Sequence, residues 1–199
     1  MPIAESLAEA NDERLMHLLR GGTDDALAEL VKRYQNDVFR FCLHYVKNVE
    51  VAKEMAQETF LRVYAARDRF DTDRSFKPWM LCIARNLCLN ELKRKKTVLM
   101  ETLEEYASES REDTGEILRW NASDASEALM ADERRVALLE ALNELTQDAR
   151  EMVMLRYFEL LSAREIADIM DSTEGAVRTR LHRTLRQLRK HCEHIWESM

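Results

Sequence analysis

The chain has 199 residues, and its 37 acidic and 30 Lys or Arg side chains give a formal net charge of −7. With only four Gly and two Pro beside abundant Ala, Leu, Glu and Arg, the composition argues against β-sheet and predicts an all-α fold. No stretch approaches the ~20 apolar residues of a membrane span, and the N-terminus has no apolar signal core, so we expect a cytoplasmic protein without membrane insertion.

Amphipathic helices are predicted from residue 12 to residue 97, a block large enough to bury a core of its own. Gly21-Gly22 ends the first helix, and Thr23 is the predicted N-cap of a long second helix. A third helix is predicted from about Glu50 to Arg67. After a polar loop, a last helix runs from Phe76 to about Lys96 and ends in four consecutive basic residues.

Residues 98–132 are predicted to form a flexible acidic linker between two small helical domains. From Leu99 to Glu133 eleven acidic residues accompany two arginines, so this segment has a net charge of −9 and leaves about +2 for the rest of the chain. One marginal helix is predicted around Ile117 to Trp120. The segment is either a solvated spacer or an acidic strip that rests on a basic surface.

Residues 133–195 are predicted to contain a helix-turn-helix. Ser162 and Glu165 have the spacing of a capping box, which opens a short helix. The turn is Asp171–Thr173, and Thr173 is the predicted N-cap of the next helix. The apolar stripe of that helix is Val177, Leu181, Leu185 and Leu188.

The other side of this helix is strongly basic. Between Glu174 and Lys190 six basic residues stand against one acid, a local net charge of about +5 on an acidic chain. A lone basic helix face is often only solvated, but the capped helix and the short turn before it are typical of a recognition helix in the major groove. The predicted DNA-contacting residues are Thr173, Arg178, Thr179, Arg180, His182, Arg183 and Arg186.

Neither a metal site nor a disulfide is predicted. Three of the four cysteines lie in apolar helical contexts, and the chain has no CxxC pair. His191, Cys192 and His194 lie close together near the C-terminus, where such residues are more often incidental than metal-binding. With no Gly-rich phosphate loop and no HExxH, the sequence predicts neither a cofactor nor an enzyme.

Two parts of the chain resemble a known family. AQETFLRVY at Ala56–Tyr64 and FDTDRSFKPWMLCIARNLCLNELKRKK at Phe70–Lys96 resemble regions 2.2 to 2.4 of a bacterial sigma factor, and Leu142–Arg189 resembles region 4. With these two regions alone, the chain is similar to the extracytoplasmic-function (ECF) group of the sigma-70 family. The alternative, a stand-alone helix-turn-helix regulator with an N-terminal dimerisation block, gives no reason for the region 2 motif.

The resemblance implies a specificity subunit, without catalysis, that directs core RNA polymerase to promoters. Its partners would be the β′ coiled coil and the β subunit of the core enzyme, promoter DNA, and an anti-sigma factor or a Ser/Thr kinase as regulator. The core-binding residues would be Glu54, Gln57, Glu58, Leu61 and Arg62. The −10 element would be bound by Arg67, Phe70, Arg74, Ser75, Lys77, Arg85, Asn86, Asn90, Lys93 and Arg94, and the −35 element by the basic helix face. Phe76 and Trp79, by contrast, are expected to pack in the core.

Region 2.2 departs from the family pattern. Where the family commonly has Asp-Ala-Glu-Asp, this chain has Val51-Ala52-Lys53-Glu54, so a surface that would meet a basic part of polymerase loses two acids and gains a lysine. Members lacking these acids can be activated by phosphorylation, and Thr59 is the nearest hydroxyl and the candidate phosphosite. The alternative is that Thr59 is an ordinary helix residue and that Glu50, Glu54 and Glu58 suffice.

Region 4 also departs from the pattern at two positions. Asp171 stands where the family usually has Gly, and Thr146 where it often has Pro. Asp tolerates the left-handed backbone better than most residues, and Thr can cap a helix, so we expect the motif to survive both changes.

Overall fold

The computed structural model describes residues 7–102, 141–142 and 144–197. In these ranges every regular element is helical and there is no strand; helical residues also occur at 7–9 and 141–142, beside seven α-helices and one 3-10 helix, Arg67–Arg69, whose bounds are defined. The α-helices are α1 (Asp12–Arg20), α2 (Asp25–Val46), α3 (Val49–Ala65), α4 (Phe76–Thr102), α5 (Gln147–Tyr157), α6 (Ala163–Ile169) and α7 (Glu174–Glu197). The predicted all-α fold is confirmed. None of the helices in the described ranges is long and apolar enough to cross a membrane.

The chain divides into two compact units, residues 1–110 and residues 111–199. The first contains α1 to α4 and the second α5 to α7. Most of the predicted linker, including the helix predicted around Ile117 to Trp120, lies outside the described residues. At the start of the predicted linker, α4 continues to Thr102 instead of ending at about Lys96. No Gly or Pro interrupts the six residues after Lys96, so nothing in the sequence stops the helix there.

Caps and left-handed residues set the helix ends of the first unit. The side chains of Asn11 and Asn48 each accept a hydrogen bond from the backbone N–H three residues on, at 2.8 and 3.0 Å, and so open α1 and α3. Gly22, with φ of 89°, follows the end of α1. Lys47, with φ of 50°, ends α2 in the same left-handed region.

The prediction that Thr23 caps α2 is wrong. The helix begins at Asp25 after Asp24, whose backbone is already right-handed helical and whose side chain makes no capping bond. Thr23 contributes its carbonyl instead, which accepts from the N–H of Ala26 at 3.1 Å. The chain therefore enters the helix through a backbone turn, one residue later than a threonine cap would require.

One face of each helix in the first unit is buried. The buried side chains include Leu15, Met16 and Leu19 of α1, Leu30, Val38, Phe41 and Cys42 of α2, Ala52, Phe60 and Val63 of α3, and Met80, Leu81, Ala84 and Cys88 of α4. Hydrogen bonding to Cys88, together with burial, raises the pKa of the Cys42 thiol. This thiol therefore stays protonated and packs as a small apolar side chain.

Arg33 ties α1 to α2. Its Nη1 donates to Asp12 at 2.9 Å and its Nε to Glu29 at 3.0 Å. Its Nη2 donates to the carbonyls of Leu7 and Ala8 at 3.1 and 2.9 Å. All three charged side chains are three-quarters or more buried. One planar cation thus satisfies four acceptors and fixes the N-terminal helix against the core.

Replacing Arg33 with Ala is expected to destabilise the first unit by about 1–3 kcal/mol, because Asp12 and Glu29 would keep their burial and lose their cation. In a protein whose other two tryptophans have been replaced, the fluorescence of Trp79 reports on this unit alone. Urea unfolding of that protein measures the free energy of unfolding of the first unit.

Arg40→Ala is the matched control for that measurement. Arg40 is mostly exposed and pairs with Asp37 on its own helix, so its loss should cost less than about 0.5 kcal/mol. Equal losses in the two variants would contradict the role assigned to Arg33.

Candidate nucleic-acid and protein interfaces

The helix-turn-helix of the second unit opens with a complete capping box. The N–H of Ser162 donates to Glu165 Oε2 at 2.8 Å, and the N–H of Glu165 donates to Ser162 Oγ at 3.2 Å. Three buried side chains of α6, Ile166, Ala167 and Ile169, hold the short helix against its unit. The sequence prediction is confirmed, because both reciprocal bonds are present.

The turn between α6 and α7 depends on a left-handed aspartate. Asp171 has φ of 51°, and the N–H of Ser172 donates to the carbonyl of Ala167 at 2.9 Å, which is the long bond of a Schellman motif. Thr173 then caps α7 by accepting from the N–H of Ala176 at 3.3 Å. Asp171 therefore adopts the conformation that a glycine would provide at this position.

The two faces of α7 separate almost as predicted. Val177, Leu181 and Leu188 are buried, but Leu185 is 37% exposed and Thr184 is only 6% exposed. The predicted stripe is therefore wrong at one position. The buried positions 177, 181, 184 and 188 are spaced by four, three and four residues, which matches the helix period of about 3.6 residues. Two successive steps of four would lead to Leu185, which the period places toward solvent.

The predicted DNA-contacting side chains all lie on the exposed part of α7 and its cap. Arg178 pairs with Glu174 one turn earlier, and the hydroxyl of Thr179 donates to the carbonyl of Gly175 at 2.9 Å. The exposed residues of this face are Thr173, Arg178, Thr179, Arg180, His182, Arg183 and Arg186. They form a continuous cationic surface. The buried stripe on the opposite side of α7 packs against the rest of the second unit, so this surface faces solvent.

An exposed apolar surface follows α5, and sequence reasoning did not find it. Tyr157, Phe158 and Leu160 are all more than half exposed, and Leu160 reaches 81%. Leu160 also has φ of 58°, which costs a non-glycine residue roughly 1–2 kcal/mol. The sequence did contain one signal, a run of apolar residues at the end of α5. These residues lie outside the helical spacing that would place them on the buried face. Exposed apolar side chains in a strained turn are typical of a protein contact.

The loop before α4 lies over a cluster of aromatic rings. The centroid of Phe70 is 6.0 Å from that of Phe76 and 5.0 Å from that of Trp79. Phe76 is buried and Trp79 is partly buried, as predicted. Phe70, predicted to bind DNA, is only 2% exposed, and this prediction is corrected: the ring supports the loop from below. The ring of Phe70 packs against these aromatic rings because burial of its apolar surface is more favourable than exposure to water.

The residues around this loop supply exposed polar groups. Arg74 and Ser75 are exposed, and Arg67 stacks over the ring of Tyr64 with its guanidinium carbon 4.4 Å from the centroid. Lys77 lies at the start of α4, where its Nζ is 3.7 Å from Asp37. Arg67 and Lys77 are thus held by the first unit at the two ends of the loop.

The remaining residues predicted to bind the −10 element follow one side of α4. Arg85 is half-buried, and Asn86, Asn90, Lys93 and Arg94 are exposed. Arg94 donates twice to Glu91, at 2.8 Å each, and this hydrogen bonding lowers the pKa of the Glu91 carboxyl. The structure therefore arranges these residues as a strip on one side of α4, which rises about 12 Å from Asn86 to Arg94.

The surface of α3 has the mixed character of a protein contact. Leu61 is largely exposed, and Arg62 donates to Glu58 at 2.8 Å. Lys53, the unexpected base of region 2.2, donates to Glu50 at 2.8 Å. The predicted core-binding residues, Glu54, Gln57, Glu58, Leu61 and Arg62, are exposed or half-buried on this helix.

Thr59 is not a surface residue. It is fully buried, and its hydroxyl donates to the carbonyl of Met55 at 2.7 Å. A kinase cannot reach this hydroxyl in the folded unit, and a phosphate there would carry about −1.5 to −2 charges into an apolar core. The candidate phosphosite is therefore corrected. The helix period places positions 59 and 60 inward, between the exposed positions 57 and 61.

Within the described ranges no group of three or more His, Cys, Asp or Glu side chains could hold a metal ion. The side chains of His191, Cys192 and His194 lie outside the residues whose surroundings the structure describes.

Comparisons with known proteins agree with this geometry. The family model described as Sigma-70 region 2 matches residues 30–98, and the one described as Sigma-70, region 4 matches residues 135–188. The ECF RNA polymerase sigma factor SigW of Bacillus subtilis is 30% identical over 172 residues, which cover 86% of this chain and 91% of SigW. The chain belongs to the ECF group of sigma-70 factors. RNA polymerase sigma factor CarQ of Myxococcus xanthus is 34% identical over 175 residues, covering 88% of this sigma factor and 94% of CarQ.

Two solved structures have the same fold as this sigma factor. RpoE of Bartonella quintana, in complex with the anti-sigma factor NepR, has a TM-score of 0.64 at 17% identity, covering 86% of this chain and 98% of that one. CnrH, in complex with the cytosolic domain of CnrY, has a TM-score of 0.63 at 21% identity, covering 92% and 97%. The match of region 2 also disfavours a stand-alone regulator, since such a protein needs no polymerase-binding domain.

Because Thr59 is buried, Thr59→Glu is expected to destabilise the first unit of this sigma factor by about 3 kcal/mol or more. Thr59→Val should cost only about 1 kcal/mol, since it removes one hydrogen bond inside a helix. Urea unfolding with Trp79 as the sole tryptophan compares the two variants. A Thr59→Glu protein as stable as the wild type would contradict the burial of this side chain.

Proposed function

We propose that this sigma factor directs core RNA polymerase to promoters in the cytoplasm by dividing recognition between its two units. In the second unit, the domain of residues 133–195 reads the −35 element through α7. In the first unit, the domain of residues 12–97 binds the core enzyme through α3 and the −10 element through its loop and α4. The acidic segment 98–132 joins them. The factor has no catalysis of its own and acts by supplying specificity and binding energy to the polymerase.

The −35 assignment depends on the exposed arginine face of α7, a helix that follows a complete capping box and turn. Arg178 lies within the first two turns of the helix, where a recognition helix reaches base edges. Arginine can bond guanine with two parallel hydrogen bonds, and the hydroxyl and methyl groups of Thr179 suit other bases. Arg183 and Arg186, exposed further along the helix, are assigned to phosphate contacts in this proposal.

Replacing Arg178 with Ala is expected to cost about 1–3 kcal/mol of promoter affinity and to relax preference at one −35 position. Arg183→Ala should weaken binding to all sequences alike and reduce the salt dependence by about one ion. Fluorescence anisotropy on −35 duplexes at several salt concentrations measures both effects. Arg20→Ala, an exposed arginine of the first unit, is the control. Unchanged affinity in both α7 variants would contradict the groove assignment.

The −10 assignment is supported by the strip that begins at the loop and follows α4. The rise of about 12 Å from Asn86 to Arg94 equals about three to four nucleotide spacings of one DNA strand, so a short stretch of one strand can run along the helix. Extruding a base costs a few kcal/mol and needs a pocket and backbone contacts to offset it. The exposed loop, with Arg74 and Ser75, supplies the pocket, and Lys93 and Arg94 supply phosphate contacts.

A Lys77→Ala/Arg94→Ala double variant should bind core polymerase normally and melt the promoter several-fold less, because two phosphate contacts of the opened strand are lost. Permanganate reactivity of −10 thymines measures the melting, and gel filtration with core polymerase measures the binding. Arg20→Ala/Arg40→Ala, which also removes two exposed positive charges, is the charge-matched control. Normal melting by the double variant would remove both residues from the −10 site.

Core binding is supported by two exposed apolar surfaces. Leu61 of α3 lies among the charged groups that the resemblance assigns to the β′ coiled coil. In the second unit, Tyr157, Phe158 and Leu160 form the surface proposed for contact with β. Large exposed apolar side chains of this kind are the usual anchors of protein interfaces.

Restoring the missing acids of region 2.2 should strengthen the α3 contact. Lys53 neutralises Glu50 and opposes a basic partner surface, so Val51→Asp/Lys53→Glu should raise core affinity about two- to tenfold and show a steeper salt dependence. Competition binding to core polymerase measures this change. Lys32→Glu/Gln35→Glu on α2, two exposed positions whose replacement also lowers the net charge by three, is the control for net charge. An affinity that rises equally in both variants would show a general field effect and not a local contact.

The burial of Thr59 favours a dissociable regulator over a kinase. RpoE of Bartonella quintana was solved with an anti-sigma factor, and we propose that a partner of this class holds the present sigma factor until it is released.

Transcription in vitro with purified core polymerase and a genomic library tests the function as a whole. Specific start sites that depend on this protein, together with its co-migration with core polymerase in gel filtration, are the expected result. DNA binding without co-migration would instead support a stand-alone regulator.

A further inference from the structure

The first turn of α4 is held by a side chain from α1. The backbone N–H of Phe76 donates to Glu13 Oε1 at 3.3 Å, across 63 residues of chain. This N–H is one of the amides that a helix start leaves without an acceptor in its own helix. A carboxylate there also interacts favourably with the positive end of the helix dipole. Glu13 therefore acts as a cap that α1 supplies to α4.

The helix that carries Glu13 is itself firmly placed. The neighbouring Asp12 binds Arg33 and accepts a hydrogen bond from the hydroxyl of Tyr34. The ring of Tyr34 in turn lies 5.6 Å from the ring of Phe76. Of two consecutive acids in α1, Asp12 thus binds α2 and Glu13 binds α4. The aromatic rings that support the loop belong to these two helices. This helix lies before residue 30, where the match to region 2 begins.

The loop between Phe70 and Phe76 is fixed at both ends. At its start, Asp71 Oδ1 accepts from the N–H of Asp73 at 3.0 Å, and the carbonyl of Asp71 accepts from the N–H of Arg74 at 3.0 Å. At its end, Glu13 holds the amide of Phe76. Residues 72–75 are exposed between these two points.

We propose that Glu13 is a positioning residue for promoter opening. By holding the first turn of α4, it keeps residues 71–75 in the conformation that receives the extruded base of the −10 element. A loop already ordered in the free protein loses less conformational entropy when it binds, so more of the contact energy offsets the cost of extrusion. This inference rests on the proposed function of the loop.

The holding of the loop is tested without polymerase or DNA. Glu13→Ala should increase the rate of trypsin cleavage after Arg74, followed by mass spectrometry, by about three- to tenfold, since one long and only partly buried hydrogen bond is lost. Glu13→Gln should cleave within about twofold of the wild-type rate, because the amide oxygen still accepts from Phe76. Glu9→Ala removes a nearby exposed acid and serves as the control. Equal cleavage in all four proteins would overturn the proposal.

The role in opening is tested with the same four proteins on one promoter. Glu13→Ala should lower permanganate reactivity at −10 by about three- to tenfold, while core affinity and −35 affinity stay within twofold of wild type, and Glu13→Gln should restore most of the reactivity. A parallel fall in core affinity, or a Glu13→Gln protein as defective as Glu13→Ala, would overturn the role. A wild-type protein that opens no promoter would overturn the proposed function, and cleavage at Arg74 would still decide whether Glu13 holds the loop.

Discussion

The burial of Phe70 and Phe76 on either side of a polar loop is the constraint on which the first unit depends. Five exposed residues can keep one conformation only if their ends are fixed, and here both ends are aromatic rings in a packed core. The same rings join the loop to α4 through Trp79 and to α2 through Tyr34. The surface that we propose for the −10 element is therefore supported directly by core side chains, and the loop is already ordered in the free protein.

Several cations on the proposed DNA surfaces are already paired with acids. Arg94 pairs with Glu91 and Arg178 with Glu174, each within one turn of its own helix. Exposed pairs of this kind contribute only about 0–1 kcal/mol, so exchanging a carboxylate for a phosphate costs little. The pairs hold the side chains extended along the helix surface. Association with DNA should consequently depend strongly on salt, since the gain comes from releasing the counterions of phosphate.

The sequence predicted the elements whose signals are local. The capping box at Ser162 and the turn at Asp171 follow from side chains that bond to their own backbone, so the spacing alone was sufficient. Features set by tertiary packing were less accessible. Thr59 lies at the helical spacing of the buried stripe of α3, so the period could have placed it inward, whereas Phe70 lies in a polar loop and only the packing around α4 shows that its ring is buried. The contact between Glu13 and Phe76 has no local signal at all.

In the mechanism we propose, the first unit opens promoter DNA by holding an extruded base at the loop before α4. The most direct measurement places 2-aminopurine at each position of the −10 non-template strand and records its fluorescence with core polymerase and this sigma factor. Unstacking of one base should give an increase at a single position, and Phe70→Ala, which removes the support of the loop, should diminish it. Promoter-dependent transcripts without a fluorescence change at any −10 position would contradict the account.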